Sequence, residues 1–220
     1  MMEISKTVRL RPRAEYVSRI IEAGTAACRH YGPSKTNVAD IARLLGKSPA
    51  SVYKIFPSKA ALWDAIAGSF LETTLRVPPL AIGEGCDAAS CLEEAALGQH
   101  RLMSEARDGD RQMFSLVVLA ADGCWPSFMR HLKDLQADVG RLIRAGITSE
   151  EFAPVRVDVA APCFCASVVS LWDPRLIGAS SSAHRISAHA LVSFAVAGLR
   201  KHPGCRNDLD EHIRLDEGPT

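Results

Sequence analysis

Apolar residues recur at steps of three and four along almost the whole chain, and few stretches alternate apolar with polar positions as a strand does. The pattern predicts an all-α protein of about nine helices. The first is expected over about Arg13–Tyr31, where Val17, Ile20, Gly24, Ala27, Cys28 and Tyr31 share a face and Gly32-Pro33 stops the run. A short second helix follows Thr36 or Asn37, either of which can cap it, and turns Val38, Ile41, Ala42 and Leu45 inward before Gly46 ends it. Ser48 and Pro49 open a third helix of about seven residues, Pro49 to Ile55, with Ser as cap and Pro where its missing N–H costs nothing. Ser58 caps a fourth, with Leu62, Ile66 and Phe70 at steps of four. Pro78, Pro79, Gly83 and Gly85 mark a connection between domains. Further helices are expected near 88–106, 111–121, 126–146, 157–173 and 184–201, punctuated by Pro126, Gly146, Pro154 and Pro174. Residues 203–220 read as a flexible, acidic tail.

The most informative stretch is Thr36–Leu62. Two short helices joined by a tight turn at Gly46, the first burying Ile41, Ala42 and Leu45 and the second Val52 and Phe56, form a helix-turn-helix over about 37–56. The second helix of that motif enters the DNA major groove, which is about 12 Å wide. It needs a small, polar outer face. Lys47, Ser48, Ala50, Ser51 and Lys54 supply one, with Tyr53 beside them, and no acid lies between Gly46 and Lys59 to repel phosphate.

Charge sharpens this picture. Hydrophobic residues make up 47% of the 220, which excludes a disordered or collagen-like chain, and the net charge of +1 names no partner by itself. Its distribution does: residues 1–59 hold 11 Lys and Arg against 4 Asp and Glu, and the remainder holds 15 against 21. A basic head on an acidic body suits a polyanion-binding end. Within it, residues 1–12 form a basic N-terminal arm carrying Lys6, Arg9 and Arg11, with Arg13 just beyond. The arm either reaches a minor groove or adds loose phosphate contacts.

Other chemistry was sought and leaves little. The seven cysteines are odd in number and irregularly spaced, and Met1–Arg13 holds no apolar run of the secretory kind. No apolar run approaches the roughly 20 residues of a membrane helix. A cytoplasmic protein with reduced thiols and no membrane partner is the expectation. Cys163 and Cys165 stand about 200° apart on a helix and cannot chelate one metal ion there. Cys86 and Cys91 flank the linker as a possible redox pair, while buried structural thiols are the commoner outcome. No nucleophile elbow, zinc-protease motif or phosphate loop is present, so no catalytic residue, metal site or cofactor is expected and the chain reads as a non-enzyme.

Taken together, the run Ile20-Ile21-x-x-Gly24 and Tyr31-Gly32, then Thr36-x-Val38-x-x-Ile41-Ala42-x-x-Leu45-Gly46, then Val52-Tyr53-x-x-Phe56-x-x-Lys59-x-x-Leu62 resembles the TetR family of bacterial transcriptional regulators. The resemblance covers roughly residues 13–73. It implies that Tyr53 and Lys59 contact backbone phosphates, that Thr36 caps the second helix and faces the DNA backbone, that Lys47, Ser51 and Lys54 lie at or near base edges, and that Ser48 belongs to the same DNA-binding set. Three positions depart from the family pattern. Cys28 replaces a large aromatic, whose volume Tyr31 or Trp63 would fill; Ala50 replaces a common Gly; Ile55 replaces a frequent His or Tyr.

The resemblance further implies a three-helix DNA-binding domain over 13–75 and a ligand-binding and dimerisation domain over 76–202. The last two long helices would pair across a two-fold axis through Cys163, Ala166, Val169 and Ser170 on one and Ala188, Leu191, Ala195, Gly198 and Leu199 on the other. Leu102, Met103, Met113, Phe114, Val117, Phe128, Phe164, Ser167 and Trp172 are the pocket candidates, with Trp125 and Leu132 nearby in the pattern. Few ionisable groups fall among them, Arg107, His100 and His131 excepted, so an apolar or aromatic effector is favoured. The expectation is a homodimeric repressor on an inverted-repeat operator in double-stranded DNA, released by a small molecule. The alternatives are a regulator or architectural protein without an effector, and, further off, a helical enzyme.

Overall fold

The first helix starts well before the expected boundary. In the computed structural model, which describes residues 3–77, 87–177 and 186–201, α1 runs Glu3–Tyr31. The basic arm is therefore continuous with the helix, through Pro12, whose ring removes one backbone N–H from the helical ladder. α2 spans Val38–Leu44 and α3 Pro49–Tyr53, two residues shorter than expected. Asn37 caps α2: its side chain accepts from Asp40 N at 2.9 Å, and the Asp40 carboxylate accepts from Asn37 N at 3.3 Å. α4 spans Lys59–Thr73, with the Ser58 hydroxyl accepting from Ala61 N at 3.0 Å.

The remaining helices are α5 Ala88–Gly109, α6 Arg111–Asp122, α7 Pro126–Thr148, α8 Val157–Ser167, α9 Val169–Trp172 and α10 Ala188–Ala197. Ten helices and no strand thus lie among the described residues, with one isolated antiparallel bridge between Phe152 and Arg200. The single helix expected over 157–173 is two. α8 holds Pro162 and ends at Ser167, whose hydroxyl donates to Phe164 O at 2.7 Å, and Val168 leaves helical geometry at φ −105°. The last helix is shorter than expected at both ends, and the tail over 203–220 lies outside the described residues.

The chain forms two units, and they do not divide at residue 76 alone. The first comprises the residues up to Arg76 together with Leu102–Leu132; the second comprises Val77–Arg101 and the residues from Lys133 onward. α6 therefore belongs with the head. It does so because Met113, Leu116, Val117 and Ala120, spaced three and four apart, have no exposed surface and give the head an apolar stripe to pack on. Beside them Ile20, Ile41, Val52, Leu62 and Ile66 are fully buried. Of the two aromatics that could make up for the small Cys28, Trp63 is buried and Tyr31 is 53% exposed.

In the second unit Leu92, Ile143, Phe152, Val168 and Val192 form the fully buried centre. Trp172 is held by its indole N–H, which donates to Ala96 O at 3.1 Å, and its ring lies 6.4 Å from that of Phe164. Glu151 accepts from Ala89 N at 3.2 Å at the start of α5. Its carboxyl is held below the usual range mainly by the Ser149 hydroxyl. Among the described cysteines, Cys91 departs from the reduced state expected: it is disulfide-bonded, whereas Cys28, Cys124, Cys163 and Cys165 are free thiols.

Two glycines on α7 separate close approach from open helix. A Cβ at Gly146 would lie 2.2 Å from the ring of the buried Phe152; one at Gly140 would meet Val157 and Ala161 at ordinary distances of 3.5 and 3.6 Å. Gly146→Ala should therefore destabilise the protein by about 1–3 kcal/mol through overpacking. Gly140→Ala should stabilise it by about 0.5–1 kcal/mol through helix propensity. Urea unfolding of the two variants checks the opposite signs.

Candidate nucleic-acid interface

The head brings its polar residues to one short helix. α2 ends where Gly46 takes φ +63°, a left-handed geometry that only glycine adopts without strain, and Lys47 N closes the turn on Ala42 O at 2.9 Å. Pro49 starts α3, and Val52, fully buried, anchors it to the core. That anchor leaves Lys47, Ser48, Ala50, Tyr53 and Lys54 exposed, with Tyr53 at 45%. Ser51 is half-buried and its hydroxyl stands 3.0 Å from that of Ser48, so the two serines constrain each other. Ser48 occupies the cap position without a side-chain cap bond, which leaves α3 to its packing and to Pro49.

Beneath α3 the turn from α1 to α2 is clasped from α4. Lys59 Nζ donates to Thr36 O at 3.0 Å and lies 4.8 Å above the Trp63 ring. The Trp63 indole N–H donates to Pro33 O at 3.2 Å. Thr36 itself is 1% exposed, and its hydroxyl points to Gly32 O at 2.8 Å and Ala27 O at 3.2 Å. This corrects the role implied for Thr36. It neither caps α2, which Asn37 does, nor faces outward; it braces the turn. Lys59 likewise has a structural partner in the Thr36 carbonyl. Burial pushes the Cys28 thiol up, against a hydrogen bond from Thr36, which keeps it neutral. Sequence reasoning missed this clasp, because a carbonyl acceptor leaves no signature in side-chain identity.

The expected pocket set divides between the two units, and the expected dimer set lies in the second. Of the pocket candidates, Leu102, Met103, Met113, Phe114, Val117 and Phe128 fall in the first unit, and Phe164, Ser167 and Trp172 in the second. Met103, Met113 and Val117 have no exposed surface, and Ser167 is exposed on α8. Of the dimer candidates, Cys163, Ala166, Val169, Ser170 and Gly198 are exposed. Leu199 is 8% exposed and joins the core of its own unit, against which Ala188, Leu191 and Ala195 also pack. Phe194, outside the expected set, is the most exposed large apolar side chain described, at 78%. The sequence signal for it was present: on α10 it lies two steps from Val192 and Val196, opposite the buried stripe.

A capped seven-residue helix, a glycine turn and a five-residue polar helix on a three-helix core define a helix-turn-helix DNA-binding regulator. Residues 20–66 match the model for bacterial regulatory proteins of the tetR family, and residues 88–192 match that for a tetracyclin repressor-like C-terminal domain. The chain belongs to the TetR family of bacterial transcriptional regulators. Its fold is similar to that of a transcriptional regulator from Cytophaga hutchinsonii, with TM-score 0.57 and 20% identity, covering 83% of this chain and 97% of that one. It is also similar to a TetR-family regulator from Mesorhizobium loti, with TM-score 0.53, 18% identity and coverage of 84% and 95%. RolR in complex with resorcinol aligns with TM-score 0.54, 16% identity and coverage of 96% and 98%. Among curated proteins none matches the chain. No described helix is long and apolar enough to cross a membrane.

The clasp and the reading face predict different phenotypes. Lys54→Ala should weaken binding to a selected duplex, lower the salt slope of log K by about one per subunit, and leave the melting temperature unchanged. Lys59→Ala should lower stability by about 1 kcal/mol as well as DNA affinity, because the Thr36 carbonyl and the Trp63 ring lose their cation. Thermal melts alongside fluorescence anisotropy titrations over a range of salt distinguish the two.

Proposed function

We propose that this protein is a homodimeric repressor that reads an inverted repeat in double-stranded DNA through α3 and leaves it when a small apolar molecule binds. The observation that carries the reading is the acid-free face of α3, with Lys47, Ser48, Tyr53 and Lys54 exposed over a buried Val52. Lys54 and Lys47 face base edges and phosphates, and Tyr53 places its hydroxyl on the backbone. Lys59 adds a phosphate contact with the protons its ammonium does not give to Thr36.

Dimerisation is supported by the unpartnered small and apolar residues of the second unit. Ala166 and Val169 on α8 and α9, and Phe194 and Gly198 on and after α10, give a face for a second copy. The core position of Leu199 moves that face toward Phe194. A two-fold dimer requires an inverted repeat, since each copy carries one reading helix. Release by an apolar effector is supported by the scarcity of charge among the pocket candidates and by the fold shared with RolR, which is solved with resorcinol bound. The full burial of Met103, Met113 and Val117 favours the second reading, a regulator without an effector, and the same experiment separates them.

Operator fragments selected from genomic DNA should share a two-fold repeat, and small aromatic compounds that raise the melting temperature should weaken operator binding about 5–150-fold. Tight-binding compounds that leave operator affinity unchanged would remove the effector from the reading. Phe194→Glu should convert the protein to a folded monomer by sedimentation and reduce operator affinity at least tenfold; a Phe194→Glu dimer would place the interface elsewhere.

A further inference from the structure

The head carries a groove that the DNA-reading role does not use. It has a volume of about 570 Å³ and lies wholly within the first unit, between the turn after α1 and the first turns of α6. Its apolar surface comes from Phe114, Val118 and Leu119, and Leu119 is 43% exposed although it is a large aliphatic side chain on a well-ordered helix. Hydroxyls of Ser34 and Ser115 stand at its edge.

The charges around the groove are unequal. Arg107 and Asp108 occupy each other through paired bonds, Nε to Oδ1 at 2.8 Å and Nη2 to Oδ2 at 3.1 Å. Asp110, next along the chain, is taken by Arg29 at 2.7 Å. Arg111 is exposed and makes no ion pair within 4 Å among the described residues; its field reaches Asp108, but with Asp108 bonded to Arg107 the groove keeps one positive charge in excess, and the Arg111 guanidinium is the one with donors free. A planar fork of donors beside an aliphatic and aromatic floor matches a carboxylate on an apolar body.

We propose that this groove binds a small organic anion, an aryl or alkyl carboxylate, with the carboxylate on Arg111 and the body on Phe114, Val118 and Leu119. The groove shares Phe114 with the effector candidates and none of the others, and binding to it does not depend on the DNA-reading assignment. Its position also gives it a lever. Ser34 lies in the same turn as Pro33 and Thr36, whose carbonyls receive Trp63 and Lys59. The turn is already docked on α6 at Arg29–Asp110 and at Gly32, where an added Cβ would stand 2.7 Å from Gln112 Oε1. An occupant touching Ser34 therefore bears on the turn that sets α3.

The probe is 2-naphthoate, with its neutral isostere 2-naphthamide as the comparison, titrated into the full-length protein without DNA by calorimetry and by 1H–15N spectra. One naphthoate should bind per chain, about tenfold tighter than the amide, and shift the amides of Ser34, Lys35, Ser115 and Leu119. Arg111→Gln should reduce naphthoate affinity about tenfold and leave the amide's affinity unchanged. Leu119→Asp, at an exposed position, should abolish both with the melting temperature retained. Equal binding of acid and amide would overturn the anion site. Naphthoate affinity unchanged in both variants, or shifts confined to residues outside the groove, would place the ligand elsewhere and overturn the proposal, as would no binding up to millimolar probe. A protein that binds naphthoate here but no selected operator would break the DNA reading and leave this one standing.

Discussion

The reading helix depends on three carbonyl oxygens it never touches. α3 has five residues, far below the ~12–15 at which a helix holds itself in water, so its geometry is borrowed from what lies beneath. The borrowed frame is the turn between α1 and α2. Pro33 O takes the Trp63 indole, Thr36 O takes the Lys59 ammonium, and Gly32 O takes the Thr36 hydroxyl. Each bond contributes about 1 kcal/mol net, yet losing one leaves a carbonyl without its partner in a largely buried turn, which costs more than the bond gives. α4 thereby holds α2 at its N-terminus, and α2 holds α3 through the turn at Gly46. A residue family normally credited to DNA contact is in this way first a structural fastening.

The same logic explains why α6 belongs with the head rather than with the rest of the C-terminal part. Its apolar stripe matches surface on α1 and α4, and polar ties fix the fit: Arg29 to Asp110, and Asp64 accepting from Ser127 N at 3.0 Å at the start of α7. The partly exposed Arg29–Asp110 pair adds little energy, on the order of 0–1 kcal/mol, and serves register instead. The family models divide the chain by ancestry, at 66 and 88, whereas packing divides it by buried surface. Both are correct descriptions of different things. The boundaries between the packing units fall within α5, after Arg101, and within α7, after Leu132.

Much of this was legible in the residues, and what was not has a common cause. Periodicity found the helices because burial enforces it, and the Gly46 turn was readable because a positive φ selects glycine. The caps at Ser58 and Asn37 follow from side chains that accept backbone N–H groups. The errors fall where backbone atoms or distant surfaces decide. Thr36 had the composition of a cap but lies one residue too early, and its hydroxyl turns inward to Ala27 O on α1 and Gly32 O in the turn. Leu199 and Phe194 lie on one short helix end where a boundary error of a few residues rotates the assignment from outer face to core. The split comes at Val168, whose φ of −105° leaves helical geometry just after the Ser167 hydroxyl donates to Phe164 O. Spacing offered Cys91 as half of a possible redox pair but could not decide it, because pairing depends on distance, and Cys91 is disulfide-bonded.

Charge shows most clearly how geometry reinterprets composition. The first 59 residues carry an excess of seven positive charges, and a count of that kind suggests a correspondingly steep dependence of DNA binding on salt. The structure sorts those charges by what they already hold. Arg29 is bound to Asp110, Arg43 to Asp40, and Lys59 to a backbone carbonyl. Of the basic side chains described in and around the motif, Lys35, Lys47 and Lys54 are exposed and make no ion pair. Only the last two flank α3 directly. Part of the excess is thus already held within the head. Because released counterions scale with phosphates neutralised and not with formal charge, a count of charges overstates the salt dependence to expect. The Lys and Arg residues invested in the fold act before any DNA is present, by fixing where the few remaining cations stand.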